Sequence, residues 1–168
     1  APMDRVRLPM RIAYVTETYP PELNGVSLTV ERAVRFLRAR GHNVELIRPR
    51  QRGEAALDAA DELRTAGWPI PVYREMRFGV SRIAPLVRRF RATAPELVHL
   101  ATPGPLAWAA LAAARTLAIA TTSDFRTNFH QYSRYYGLGA LATPALGLLR
   151  RFHNLTQQTF VQIGRAHV

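Results

Sequence analysis

The residues with most potential for chemistry lie in one stretch, 123–136, which reads SDFRTNFHQYSRYY. Its polar or ionisable side chains include, within thirteen residues, Asp124, Arg126, Asn128, His130, Gln131, Tyr132, Arg134 and Tyr136. Such side chains could hold a sugar by hydrogen bonds and stacking, or stabilise a phosphate through arginine. The stretch could equally be a surface segment whose aromatic residues pack against the protein.

A second unusual stretch, 16–27, reads TETYPPELNGVS and joins an apolar run to an amphipathic one. It is longer than a strand-to-helix turn requires. Asn24, Gly25, Val26 and Ser27 place a glycine where a helix begins, so that backbone N–H groups there could approach an anion. The simpler alternative is a turn at Asn24-Gly25 with Ser27 as the N-cap.

Several kinds of site are excluded by the motifs that the sequence lacks. It has no G-x-G-x-x-G dinucleotide fingerprint, no Gly-Lys-Ser/Thr phosphate loop and no G-x-S-x-G nucleophile motif. There is no cysteine, and no set of His, Asp and Glu has the spacing of metal ligands. We therefore expect neither a metal nor a cofactor, and we interpret His99 as a structural histidine.

Hydrophobic periodicity predicts strands that alternate with helices. Strands are expected at 11–16, 43–47, 70–73, 96–100, 119–122 and 159–161, and helices at 27–40, 85–92, 105–117 and 138–157, the last interrupted around Pro144. Residues 48–68 are expected to be irregular, with a short helix at 54–63. The pattern predicts an α/β fold, a Rossmann-like parallel sheet with helices on both faces. Ligands of such sheets bind beyond the carboxyl ends of the strands, where 16–27, 101–106 and 123–136 should meet.

The formal net charge is +11, and all 23 basic residues are arginine. This charge favours an anionic partner, namely nucleic acid, anionic lipid or a phosphorylated ligand, although a solvated arginine-rich surface would look the same. No helix-turn-helix, RRM or KH pattern accompanies it, so we expect no nucleic acid. The alternatives left open are a basic nucleic-acid-binding module and a small-molecule-binding α/β module without catalysis.

Two long segments resemble the amino-terminal domain of GT-B glycosyltransferases of family 4. They are RIAYVTETYPPELNGVSLTVERAVRFLRARGHNVELIRPR and LVHLATPGPLAWAALAAARTLAIATTSDFRTNFHQYSRYYGLG. Within that family they look most like bacterial GDP-mannose-dependent α-mannosyltransferases and their sulfoquinovosyl- and phosphatidylinositol-mannosyl-transferring relatives. The resemblance implies two Rossmann-like domains that face each other across a cleft. The amino-terminal domain binds the acceptor, and the carboxy-terminal domain binds most of the nucleotide-sugar donor.

The implied reaction is a retaining, metal-independent transfer of a hexose, expected to be mannose from GDP-mannose, to a lipid or glycan acceptor. By the resemblance, Asn24, Gly25 and Val26 form the donor-phosphate loop. Residues 125–132 match a Y-H-T-N-F-P-Q-Y-like segment whose histidine lies at the reaction centre. Arg126 takes the place of that histidine and His130 that of the proline, which makes both catalytic candidates. The candidates for acceptor binding are Tyr19, Glu22, Asp124, Asn128, Gln131 and Tyr132.

The resemblance covers residues 10–162, which we expect to form the acceptor-side domain, without the carboxy-terminal donor domain and inactive alone. Residues 1–9 are expected to be upstream read-through, and 163–168 match translated sequencing adapter. No apolar run reaches the roughly 18 residues of a membrane span, so a cytoplasmic protein is expected, peripheral on the inner face of the membrane. Contact with anionic lipid would involve Arg88, Arg89, Arg91, Arg150 and Arg151.

Overall fold

A mostly parallel β-sheet forms the centre of the protein. The computed structural model describes residues 8–69, 77–125 and 139–161. The strands are β1 (Arg11–Val15), β2 (Asn43–Pro49), β3 (Leu57–Asp58), β4 (Glu62–Pro69), β5 (Arg77–Val80), β6 (Leu97–Leu100), β7 (Ala120–Phe125) and β8 (Gln158–Val161). The helices are α1 (Gly25–Ala39), α2 (Ile83–Thr93), α3 (Pro105–Thr116) and α4 (Gly139–Asn154).

The strand order is β3-β4-β2-β1-β6-β7-β8, and β5 pairs with the outer part of β4. Every neighbouring pair in the order β4-β2-β1-β6-β7-β8 is parallel. The strands β3 and β5 both run antiparallel to β4. The chain passes from β1 through α1 to β2 on one side, and β6 later joins the other side of β1. The boundary between β1 and β6 is therefore the topological switch point, where ligands of such sheets bind.

Apolar side chains cover both faces of the sheet, which explains the helices on each side. One core joins α2, α3 and α4 to the sheet through buried residues that include Phe90, Leu111 and Phe152. The other packs Val30 and Val34 of α1 against the opposite face. Burying each large apolar side chain contributes about 2 kcal/mol, so the two cores fix the sheet between its helices. The predicted Rossmann-like fold with helices on both faces is confirmed.

The expected helix at 54–63 is wrong, because that part of the chain contains β3 and the start of β4. Glu62 and Leu63 lie beside Leu46 and Ile47 of β2 in parallel register. Two charged residues of this segment belong to an ion-pair network around Arg48, whose side chain is only 3% exposed. Arg48 contacts Glu54 Oε2 at 2.7 Å and Glu62 Oε1 at 2.9 Å. The start of β4 thus lies beside β2, and its charged residue Glu62 pairs with Arg48 of that strand.

Further differences from the sequence prediction include the unpredicted strand β5, the end of β7 and the course of α4. β7 continues to Phe125, because β8 supplies partners for Ser123 and Asp124. α4 runs through Pro144 without interruption, since packing of Phe152 against Trp108, with ring centroids 5.1 Å apart, offsets the hydrogen bond lost at the proline. The strand predicted at 70–73 lies outside the described residues.

Candidate functional site

The carboxyl edge of β1 and β6 brings two of the three predicted loops together. Residues 16–24 follow β1 and residues 101–104 follow β6, and the N–H of Glu17 donates to Thr102 Oγ1 at 2.8 Å. β7 runs parallel to β6 and also ends at this edge, with Phe125. The rest of the third loop, 126–138, lies outside the described residues. The edge at the switch point therefore has the position expected of a ligand cleft.

The start of α1 is built by a capping box that uses Asn24 rather than Ser27 as the N-cap. Asn24 Oδ1 accepts the N–H of Ser27 at 2.8 Å, and Ser27 Oγ accepts the N–H of Asn24 at 3.1 Å. Among the described residues, no acceptor bonds to the N–H of Gly25 or Val26, and a Cβ added to Gly25 would meet nothing within 4 Å. Two backbone donors at the positive end of the helix are thus left without an acceptor in the described residues.

Glu22 and Tyr19, two of the acceptor-binding candidates, lie in the same loop and are partly buried. Glu22 Oε1 accepts from Asn24 Nδ2 at 2.6 Å, and its Oε2 accepts from Gln51 Nε2 at 3.2 Å. Burial raises the pKa of the Glu22 carboxyl above its ordinary value, against these hydrogen bonds. The ring of Tyr19 lies 5.6 Å from the Arg48 guanidinium, and burial raises the pKa of its hydroxyl. Both side chains are therefore held in place at the rim of the edge.

Asp124 lies inside the sheet rather than in a loop. It belongs to β7, is 4% exposed, and its Oδ2 is 3.2 Å from His99 Nε2. The other ring nitrogen of His99, Nδ1, lies 2.9 Å from Thr122 Oγ1, and its ring packs against Tyr14 at 4.6 Å. Both nitrogens of His99 thus have partners, as a structural histidine requires. The remaining candidates, Arg126, Asn128, His130, Gln131 and Tyr132, lie outside the described residues.

Glu17 is a residue of this edge that the sequence analysis did not single out. It is 7% exposed, and its Oε1 accepts the N–H groups of Leu106 at 2.9 Å and Ala107 at 3.4 Å. Its Oε2 accepts the N–H of Gly79 in β5. The Glu17 carboxyl therefore caps α3 and joins three segments of the edge.

The start of α3 is the feature of the sequence that could have pointed to such a residue. Its N-cap is Gly104, which has no side-chain acceptor, and Pro105 follows at N1 without an N–H group. The N–H groups of the next two residues need an acceptor from elsewhere in the chain. Glu17 comes directly after the neighbouring strand and supplies it.

Two glycines allow the Glu17 carboxyl to lie this close to the backbone. A Cβ added to Gly104 would be 2.2 Å from Glu17 Oε1, and one added to Gly79 would be 3.0 Å from Oε2. In this enclosed position burial raises the pKa of Glu17 from 4.5 to about 7, although the backbone N–H groups of Gly79, Leu106 and Ala107 lower it. The side chain is therefore a buried acid that titrates near neutral pH.

Two further properties bear on what the site can do. Within the described part of the chain, no group of three His, Asp or Glu side chains is placed to hold a metal ion. Every helix in residues 8–69, 77–125 and 139–161 is too short or too polar to span a lipid bilayer.

Comparison with known proteins gives relatives that are longer than this chain. It is 30% identical over 155 residues to a GDP-mannose-dependent alpha-mannosyltransferase of Mycobacterium tuberculosis, covering 89% of this chain and 41% of the relative. A protein of the same name from Corynebacterium glutamicum is 31% identical, with 90% and 37% covered, and a sulfoquinovosyl transferase of Arabidopsis thaliana is 24% identical, with 91% and 30% covered. The chain thus spans about two fifths of the length of the curated bacterial relatives it matches.

A solved structure shares the fold alone. A putative UDP-N-acetylglucosamine 2-epimerase from Listeria monocytogenes superposes with a TM-score of 0.54 at 10% identity, covering 92% of this chain and 39% of that one. The family model described as Glycosyltransferase Family 4 matches residues 23–162. Because that match covers well over half of the sequence, the chain belongs to glycosyltransferase family 4.

Proposed function

We propose that this chain is the acceptor-side part of a retaining glycosyltransferase that moves a hexose from a nucleotide sugar to a lipid or glycan acceptor. The donor is GDP-mannose, in keeping with the names of the bacterial relatives. We expect the chain alone to transfer no sugar, because the resemblance to this family implies that a second domain binds most of the donor.

The observation that carries the proposal is the start of α1 at the switch point. The N–H groups of Gly25 and Val26 bond to no acceptor in the described residues, and the space beside Gly25 is open. A helix N-terminus with free N–H groups favours negative charge, which the diphosphate of a nucleotide sugar carries. Asn24 holds this geometry through its capping bonds rather than by contact with the donor.

Acceptor binding falls to side chains at the rim and in the third loop. Tyr19 and Glu22 are fixed by Arg48, Asn24 and Gln51, so they can present a ring and a carboxyl to a hydroxyl-bearing acceptor. In the third loop, Asn128, Gln131 and Tyr132 remain candidates from the sequence. Asp124, also a candidate from the sequence, is buried in β7 and contacts His99.

Arg126 and His130 are the proposed catalytic residues. As the donor bond breaks, negative charge grows on the leaving phosphate, and a positioned guanidinium would stabilise it by several kcal/mol. Arginine keeps its proton at neutral pH, so Arg126 would act by charge and not by proton transfer. The Arg126 variants described below test whether Arg126 takes the role of the histidine of the family, and His130 is the other candidate for it.

The test is sugar transfer by a protein that joins this chain to a carboxy-terminal donor domain of the family. Labelled mannose should pass from GDP-mannose to a lipid or glycan acceptor, and NMR of the product should show the donor's anomeric configuration. Arg126→Ala should lower kcat about a hundredfold with little change in acceptor KM, whereas Arg126→His should keep appreciable activity. An inverted product, or unchanged kcat in Arg126→Ala, would contradict the proposed mechanism.

The donor loop has its own variant. Gly25→Val places a side chain where the diphosphate would lie, without a clash inside the protein, since a Cβ there meets nothing within 4 Å. We expect the KM for GDP-mannose to rise about tenfold or more, the cost of about one lost hydrogen bond to a charged group. Gly147→Ala, at another open position on α4, is the matched control and should leave that KM unchanged. Equal donor KM in both variants would remove Gly25 from the donor site.

A further inference from the structure

The antiparallel ribbon of β4 and β5 carries an apolar face that the protein leaves in solvent. In the ribbon Trp68 pairs with Phe78 and Ala66 pairs with Val80. Because side chains alternate along each strand, these four residues share one face. Trp68 is 69% exposed, Phe78 41% and Val80 43%. We call this surface, formed by Ala66, Trp68, Phe78 and Val80, the ribbon face.

The opposite face of the ribbon is fixed to the body of the protein. Gly79 donates its N–H to Glu17, and a Cβ added to Gly79 would be 2.6 Å from the Cβ of Leu106. A Cβ added to Gly67 would be 2.9 Å from the carbonyl oxygen of Arg50. The ribbon therefore lies tightly against the carboxyl edge of the sheet, and its outer face stays beside the candidate site.

Arginines without ion pairs border the ribbon face. Arg50 donates its N–H to Thr65, next to Ala66, while Arg52 is two residues further along and Arg82 two residues after Val80. None of these three arginines takes part in an ion pair within the described residues. The nearby carboxylates are already engaged, because Arg48 holds Glu54 and Glu62. The margin of the ribbon face is thus positively charged.

We propose that the ribbon face docks on the surface of an anionic lipid bilayer. Tryptophan and phenylalanine enter the interfacial layer of a membrane, and arginines beside them contact acidic head groups. Charge complementarity selects this partner, since the margin is basic and the chain as a whole carries +11. A protein partner or a second copy of the chain would have to supply acidic groups of its own, and a basic second copy does not.

This position differs from the arginines that the sequence pointed to. Arg89, expected at the lipid surface, is 16% exposed at its side chain and instead holds Glu45, Asp58 and the carbonyl of Ala59. Arg89 is therefore engaged within the protein, whereas lipid contact by Arg88, Arg91, Arg150 and Arg151 stays a prediction from the sequence. Docking there is independent of the proposed transfer reaction, because vesicle binding requires no donor.

The chain offers its own reporter for this contact. Its two tryptophans are Trp68 and Trp108, so Trp108→Phe leaves the ribbon face with the single indole. Vesicles of phosphatidylglycerol and phosphatidylcholine should shift the Trp68 emission to shorter wavelength and protect it from iodide. Vesicles of phosphatidylcholine alone should do so weakly or not at all at low salt.

Matched substitutions distinguish binding through the ribbon face from non-specific binding to vesicles. Trp68→Ser together with Phe78→Ser should weaken co-sedimentation with the mixed vesicles about tenfold or more. Arg50→Gln and Arg82→Gln should each weaken it about fivefold. Phe36→Ser removes another exposed ring, 56% exposed on α1, and should bind as the parent does. Circular dichroism confirms that each variant is folded.

Three results would overturn the proposal. Trp68 emission that does not change with mixed vesicles would do so, even if the ribbon variants fail to fold. Co-sedimentation of the ribbon variant equal to that of Phe36→Ser would also do so. A Trp68 shift that grows with protein concentration in the absence of vesicles would assign the face to a second copy of the chain instead.

Discussion

A single methyl group at Gly104 should break the contact between the first loop and α3. A Cβ there would lie 2.2 Å from Oε1, 2.4 Å from Cδ and 2.5 Å from Cγ of Glu17. The backbone of Gly104 has φ −95°, which alanine adopts freely, so the cost is steric and not torsional. Gly104→Ala must therefore move the carboxyl of Glu17 away from the helix.

The magnitude follows from the hydrogen bonds that this movement breaks. The buried N–H groups of Leu106 and Gly79 would lose their acceptor, and each such loss costs about 1–3 kcal/mol. We expect Gly104→Ala to lower the free energy of unfolding by about 4 kcal/mol. Glu17→Ala breaks the same bonds and should cost a similar amount.

The two substitutions should not add. Once Glu17 is alanine, the space beside Gly104 is empty, and Gly104→Ala should cost about 1 kcal/mol or less, the usual preference of an N-cap for glycine. The coupling energy is then about 3 kcal/mol. Urea unfolding followed by circular dichroism measures all three variants, with Gly147→Ala, in the open middle of α4, as the neutral or slightly stabilising control. Additive costs, or a Gly104→Ala variant within about 1 kcal/mol of the parent, would refute the assigned contact.

Three further predictions concern the same edge. Glu17 holds its proton more tightly in the folded protein, where its pKa is about 7 against 4.5 in the unfolded chain. Its contribution to the free energy of unfolding should therefore fall by about 3 kcal/mol between pH 4.5 and 7. In Glu17→Gln, the free energy of unfolding measured over that range should lack this part of the loss. Asn24→Ala removes the cap of α1 and should cost about 1 kcal/mol in urea unfolding, and Asn24→Asp should restore this only in part, because it keeps the capping oxygen but places a carboxylate against that of Glu22. Arg48→Met removes the partner of Glu54 and leaves Glu62 with Arg64 alone, and it should cost about 3 kcal/mol; it should also raise the pKa of Glu54 from about 2, which NMR titration can follow.

Most of the fold could be predicted because its elements have local signals. Apolar β-branched runs gave β1, β2 and β6, and the stripe that includes Val30 and Val34 gave α1, which ends before Gly41 at φ +85°. β4 could not be predicted in this way. Its first half mixes the charged residues Glu62 and Arg64 with Leu63, and its pairing with β2 involves Arg48, whose contact with Glu62 no local pattern reveals.

The residues of the candidate site also differ in whether a local pattern of the sequence could predict their role. The start of α1 was visible in Asn24 and Gly25, because capping acts within four residues. The role of Glu17 was not, since its partners Gly79 and Leu106 are 62 and 89 residues away. Asp124 was expected in a loop and belongs to a strand, because β8, later in the chain, extends the pairing of β7.

The central place of β1 has a consequence for how this protein forms. β1 is synthesised before the other strands described here, yet β6 pairs with it only later, and the loop that follows β1 bonds to Thr102, 85 residues beyond Glu17. Contacts so distant in sequence make folding slow. On the ribosome, β1, α1 and β2 can associate early, but one edge of β1 stays unpaired until β6 has emerged. A nascent chain interrupted before that point would expose an apolar strand edge to other chains, so aggregation should be greatest for fragments that end before β6.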